Sequence, residues 1–123
     1  MKKAVSRTAL GREGEEVASR FLEGAGYRII ARNVRFRLGE LDIVAADQDC
    51  VVFVEVKTRT GTGYGTAAEA VTPAKQRQLV KLASVYLAGT GTEGRPCRFD
   101  VVTVEPAVGG GWRCELIRNA FCA

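Results

Sequence analysis

The chain of 123 residues contains no histidine. That absence removes serine–histidine and cysteine–histidine catalysis, histidine as a general base, and the imidazole ligands of most zinc sites. The four cysteines, Cys50, Cys97, Cys114 and Cys122, form no C-x-x-C pair, so free thiols in a cytoplasmic protein are the simpler expectation. No stretch comes near the roughly 20 consecutive apolar residues of a membrane span. Met1-Lys2-Lys3 is charged, but the apolar core of a secretory leader does not follow it, so neither membrane insertion nor export is expected. The glycine-rich stretch Thr58–Glu69 has neither the Gly-Lys-Ser/Thr ending of a P-loop nor a G-x-G-x-x-G pattern, and it reads as a loop able to close over a bound strand or as plain disorder. Carboxylates, lysine, hydroxyls or a bound metal must carry any chemistry.

What is present is an ordinary globular composition, 46% hydrophobic and 26% charged, without an internal repeat or linker. One domain over residues 1–123 is expected, with Met1–Arg7 as a basic mobile arm. A net charge of +4 favours an anionic partner, of which nucleic acid is the commonest. Thr8 to about Gly24 has helical spacing of Val17, Ala18, Phe21 and Leu22. Glu15 lies on or beside that face; it either borders a polar pocket or suits the positive end of the helix dipole, the default account. Tyr27–Val34 reads as a strand. Arg32, Arg35 and Arg37 follow closely around Phe36 and suit either phosphate contacts with base stacking or the protection of a sheet edge. Thr72-Pro73 opens a second helix that Gly89 is expected to end, and its first turns carry Lys75, Gln76 and Arg77. Arg98–Glu105 and Trp112–Ile117 read as two further strands, with Asp100 inside the first. The order helix–strand–strand–strand–helix–strand–strand predicts an α/β fold, a mixed central sheet flanked by helices.

The centre of the chain is Gly39–Lys57, G-E-L-D-I-V-A-A-D-Q-D-C-V-V-F-V-E-V-K, two strands joined by a polar turn. Alternation puts Glu40 and Asp42 on one face, and Glu55 and Lys57 on one face of the next strand. If those faces coincide, Asp42, Glu55 and Lys57 converge. Val51–Val56 has the composition of a buried central strand, where a charge must be paired or must hold a metal. A strand end carrying an ordinary salt bridge accounts for the same residues, and the stretch alone leaves both readings open. Without histidine, phosphodiester hydrolysis is usually metal-assisted. Mg²⁺ or Mn²⁺ takes hard oxygen ligands from one or two carboxylates, and a neighbouring lysine orients water and stabilises charge developing at phosphorus.

Asp42…Glu55-Val56-Lys57 resembles the D…(D/E)-x-K signature of the restriction-endonuclease-like superfamily. More closely, the chain resembles the bacterial YraN-type family, akin to archaeal Holliday-junction resolvases. The matching residues are Gly14-Glu15-x-x-Ala18, Gly26-Tyr27-x-Ile29, Asn33, Gly39-Glu40-x-Asp42, Phe53–Lys57 with Arg59, Lys75, and Arg98–Val102. The resemblance implies a restriction-endonuclease-like α-β-β-β-α-β core. It implies Asp42 and Glu55, with the Val56 carbonyl, as ligands of Mg²⁺ or Mn²⁺, and Lys57 as the residue assisting the attacking water. Glu15 would correspond to the helical carboxylate of the resolvases, and Gln76, or Lys75 beside it, to the polar residue on the helix after the lysine strand. Glu40 carries no assigned role. Arg32, Arg35, Arg37, Arg59 and Lys75 are the expected nucleic-acid contacts.

The expected function is therefore a metal-dependent nuclease that hydrolyses DNA phosphodiester bonds at branched or recombination and repair structures. A homodimer is implied, since related resolvases cut two strands. The alternatives are a non-catalytic nucleic-acid-binding subunit of a repair complex, and an interaction module whose polar cluster is only structural.

Overall fold

A computed structural model describes residues 7–59 and 70–121. The elements run α1 (Arg7–Gly24), β1 (Arg28–Phe36), β2 (Gly39–Asp47), β3 (Cys50–Thr58), α2 (Pro73–Thr90), β4 (Cys97–Pro106) and β5 (Trp112–Phe121). The fold class is the expected one: an α/β protein whose five strands make one mixed sheet in the order β1-β2-β3-β4-β5. Only β3 and β4 pair in parallel, because α2 carries the chain back across the sheet between them. The order and the two helices are consistent with a restriction-endonuclease-like core. The glycine-rich loop, apart from its first two residues, and Cys122 lie outside the described residues, as do residues 1–6 of the expected arm; Arg7 already belongs to α1.

Each face of the sheet has its own core. Ala18 and Leu22 of α1 pack on Ile43, Ala45, Val52 and Val54. Leu79, Leu82 and Ala83 of α2 pack on Leu41, Val44, Phe53 and Phe99 on the other side. A regular strand keeps residues i and i+2 on one face. Leu41 and Ile43 nevertheless sit in opposite cores, so β2 rotates about its own axis at Asp42. The β2–β3 ladder stops at the same place, with Ile43↔Val54 its last pair.

Several boundaries differ from the sequence reading. Gly89 does not end α2: helical spacing persists to Thr90, and Gly91, at φ 70°, takes the left-handed position that closes it. β5 runs on to Phe121, whose ring stacks on Phe99 at 4.8 Å and rewards the longer strand. Glu15 is two turns into a helix that begins at Arg7, so the helix dipole does not explain it.

Asp100 is fully buried on the α1 side of the sheet and is fully matched. It accepts from the Tyr27 hydroxyl at 2.6 Å, Arg98 Nε at 3.0 Å and the Asn119 amide at 2.9 Å. Arg98 also donates to Asp47 at 2.8 Å. Burial and the Asp100 carboxylate push the Tyr27 phenol up to about 12, so it remains a donor. Asp100→Ala leaves Arg98 with Asp47 alone and takes the acceptor from the Tyr27 hydroxyl and the Asn119 amide; it is expected to cost at least about 1–3 kcal/mol of stability, read by urea denaturation.

At Gly14 α1 comes close to Thr58 at the end of β3. A Cβ there would stand against the Thr58 hydroxyl, with Thr58 Cβ at 3.3 Å. Alanine is ordinarily the better helix residue. Here Gly14→Ala is expected to cost about 1–3 kcal/mol by overpacking, and Thr58→Ala in the same chain to recover part of that loss in the same measurement.

Candidate active site

Asp42 sits at the point where β2 turns away from β3. Its Oδ2 accepts from the Val56 amide at 2.9 Å, replacing the strand–strand bond that the ended ladder no longer supplies. Continuing the register one step past Ile43↔Val54 sets Glu55 opposite Asp42, where each carboxyl group acts on the other's titration. Glu55 is only 5% exposed. Its Oε2 lies 3.7 Å from Lys57 Nζ on its own strand and 3.7 Å from Lys75 Nζ on α2, while Oε1 has no partner.

From the other face, α1 contributes Glu15. Carboxylate oxygens of Glu15, Glu40 and Asp42 lie within 4.8 Å of one another. One Glu15 oxygen is buried without a partner, and the Asn33 side chain draws the titration of this carboxyl group down. Asp42 thus joins two sets, Glu55 with its lysines from the α2 side and Glu15 with Glu40 from the α1 side.

The electrostatics follow from crowding. Burial, followed by the Asp42 charge, raises Glu55 against the pull of Lys75 and Lys57. Burial raises Asp42, opposed by the Val56 amide. Burial and Asp42 raise Glu15, and Asn33 opposes them. Both shifts favour one proton shared by the Asp42–Glu55 pair. A hard cation with oxygen ligands relieves this crowding, and the under-satisfied oxygens of Glu55 and Glu15 suit one.

Comparison with known proteins gives the chain its kin. Residues 14–104 match the profile described as "Uncharacterised protein family UPF0102". The chain belongs to the UPF0102 family. A UPF0102 protein of Symbiobacterium thermophilum is 62% identical over 114 residues, covering 93% of this chain and 97% of that protein. One from Pelotomaculum thermopropionicum is 50% identical over 119 residues (96% and 99% of the two chains), and one from Rhodococcus jostii 49% over 113 (92% and 96%).

In this UPF0102 chain the remaining expected site residues scatter. Gln76 donates its side-chain amide to the Val71 carbonyl at 3.1 Å, so Lys75 is the α2 side chain that reaches Glu55. Arg32 pairs with Glu16 of α1 at 2.7 Å and Arg35 with Glu40 at 3.1 Å. Arg37 is exposed at the β1–β2 turn. Arg59 follows β3, its backbone amide bound to the Val104 carbonyl at 2.8 Å. Asn33 is among the matching residues with no role assigned; it adopts φ 53° and lowers the titration of Glu15. An asparagine beside arginines in a strand was a usable signal, because asparagine tolerates the left-handed conformation.

The shared proton has a stability consequence. Above pH 4.5, the ordinary glutamate value, the folded pair holds a proton that the unfolded chain has lost. In chelator, stability is expected to fall as pH rises from there through the raised titration of the pair. Urea titrations across pH should show that fall in the wild type and a flatter profile in Glu55→Gln. Parallel profiles would rule out the shared proton.

Proposed function

We propose that this protein is a restriction-endonuclease-like, divalent-metal-dependent nuclease that hydrolyses DNA phosphodiester bonds. One contrast carries the reading. The same sheet buries Asp100 and matches it with three kinds of donor, yet buries Glu55 beside a second carboxylate with one oxygen unpartnered. A fold that can satisfy one buried carboxylate and leaves another crowded reserves the second for something else.

Asp42 and Glu55, helped by the Val56 carbonyl, would hold Mg²⁺ or Mn²⁺. The bound ion supplies a polarised phosphoryl oxygen and a more acidic water. Lys57 would donate to that water and orient it towards phosphorus. Lys75 would offset charge growing on the phosphoryl oxygens. Glu15, raised by burial and beside Asp42, would accept the water's proton, with Asn33 holding its carboxyl group in position. Arg35, salt-bridged to Glu40, would keep Glu40 from adding its full charge to the cluster. The net charge of +4 supports an anionic polymer as substrate, and three described free thiols, Cys50, Cys97 and Cys114, suit the reducing cytoplasm. Among the described residues no helix is long and apolar enough to cross a membrane.

Calorimetric titration of Mn²⁺ with and without a four-way DNA junction tests the site directly. The wild type is expected to bind the ion, more tightly with DNA, and Asp42→Ala to lose it. Lys57→Ala is expected to keep metal binding and lose at least about 10²-fold in cleavage rate. Cleavage that survives both substitutions would sink the proposal. Salt-sensitive DNA binding that ignores metal and Asp42→Ala would make the protein a non-catalytic nucleic-acid-binding subunit.

A further inference from the structure

Beside the acidic site, the β1–β2 turn and the exposed side of α2 enclose a groove of about 540 Å³. Phe36 and Leu38 form one wall, Leu82 and Val85 the other, and Arg37, Arg77 and Lys81 stand on the rim. Among the described residues no carboxylate lines it. Leu38 is 75% exposed and Val85 56%, an unusual pairing of large apolar side chains on a soluble surface. The groove is built rather than incidental. Gln78 reaches across from α2 and donates to the Leu38 carbonyl at 2.7 Å, against the bare backbone of Gly39.

Its two walls lead straight to the acidic cluster. The turn continues through Gly39 into Glu40 and Asp42. On α2, Ala74 of the groove is next to Lys75, which touches Glu55. Lys81 lies about 9 Å farther along the helix, at about 1.5 Å per residue.

We propose that this groove binds an unpaired stretch of the same nucleic-acid strand that enters the acidic site, a base seated between Phe36 and Leu38 and its flanking phosphates on Arg37, Arg77 and Lys81. The inference rests on the nuclease reading and narrows its substrate class to DNA with a single-stranded segment next to the scissile bond. Charge complementarity and continuity with the acidic site select this occupant. An intact duplex offers phosphates but keeps its bases stacked, which would leave the apolar walls unused. An unpaired base has an apolar face for them and a phosphate on each side for the cations.

Fluorescence anisotropy in chelator, with no cleavage, tests this. The probes are labelled oligothymidylate and an abasic deoxyribose-phosphate oligomer of equal length. The wild type is expected to bind oligothymidylate at least about fivefold more tightly, as stacking of a base provides. Leu38→Asp should remove that preference, and the uncharged Leu38→Ser should do so while leaving abasic binding in place. Arg77→Glu with Lys81→Glu should weaken both and lower the salt slope by about 1.4, two phosphates at about 0.7 each. All these side chains are exposed, and urea denaturation checks that the variants fold. Equal affinity for the two probes, or binding that ignores the substitutions, overturns the proposal. Self-association in sedimentation that Leu38→Asp abolishes, with oligothymidylate binding unchanged, gives the groove to a second copy of the chain and overturns it too. The two readings fail separately: metal-dependent cleavage lost in Asp42→Ala, with groove variants binding normally, leaves the nuclease and removes the groove. Groove-dependent binding in a protein that takes no Mn²⁺ does the reverse.

Discussion

Everything at the candidate site depends on where β2 stops pairing with β3. A regular ladder would have carried Asp42 and Glu55 as neighbours on one face, with α1 on the far side of an unbroken sheet. Because the ladder ends at Ile43↔Val54 and β2 rotates there, β2 and β3 part towards the end of β3 that carries Glu55 and Lys57. Glu15 from one face and Glu55 from the other then meet at Asp42. Across this opening the Val56 amide donates to Asp42 at 2.9 Å, so a side chain of the candidate site stands in for a backbone bond. Fold and site share one irregularity.

Two buried carboxylates illustrate what the fold does with charge. Around Asp100, a phenol, a guanidinium and a backbone amide close every approach, and the result is a structural knot between Tyr27, β4 and β5. Around Glu55, two lysines stand at 3.7 Å, longer than a good hydrogen bond, and a like-charged neighbour shares the space. Both residues look alike as charges within apolar strands. Only their surroundings separate them, and those surroundings come from distant parts of the chain.

Legibility followed sequence distance. The helices, the five strands and their order could be read, since periodicity and turn residues act over a few positions. Asp42, Glu55 and Lys57 could be read because a hairpin brings them together through local pairing. The rotation at Asp42 was not legible: Leu41 and Ile43 are both apolar, and nothing local says that they face opposite cores. Arg32 and Arg35 could be read as basic but not as paired, because their partners Glu16 and Glu40 reach them through tertiary packing and a hairpin register. The choice between Lys75 and Gln76 required the phase of α2 against β3, which only the folded helix sets. The sequence reading ends α2 at Gly89, but the residue whose backbone turns left-handed there is Gly91, and that choice is made by the folded backbone.

The contact between Gly14 and Thr58 acts as a registration mark. Each lies one residue from a member of the candidate site, Gly14 before Glu15 and Thr58 after Lys57. With no side chain at Gly14 to act as a spacer, α1 and the end of β3 come close here, and that closeness limits how far α1 can slide along β3 or turn about its own axis. A helix turns by about 100° per residue. Inserting or deleting a residue between Gly14 and Glu15 would therefore swing the carboxylate to another side of the helix while leaving the helix intact. Length variation can accumulate in the Thr92–Pro96 connector, where no such mark exists, but at this crossing the chain's numbering is itself part of the geometry.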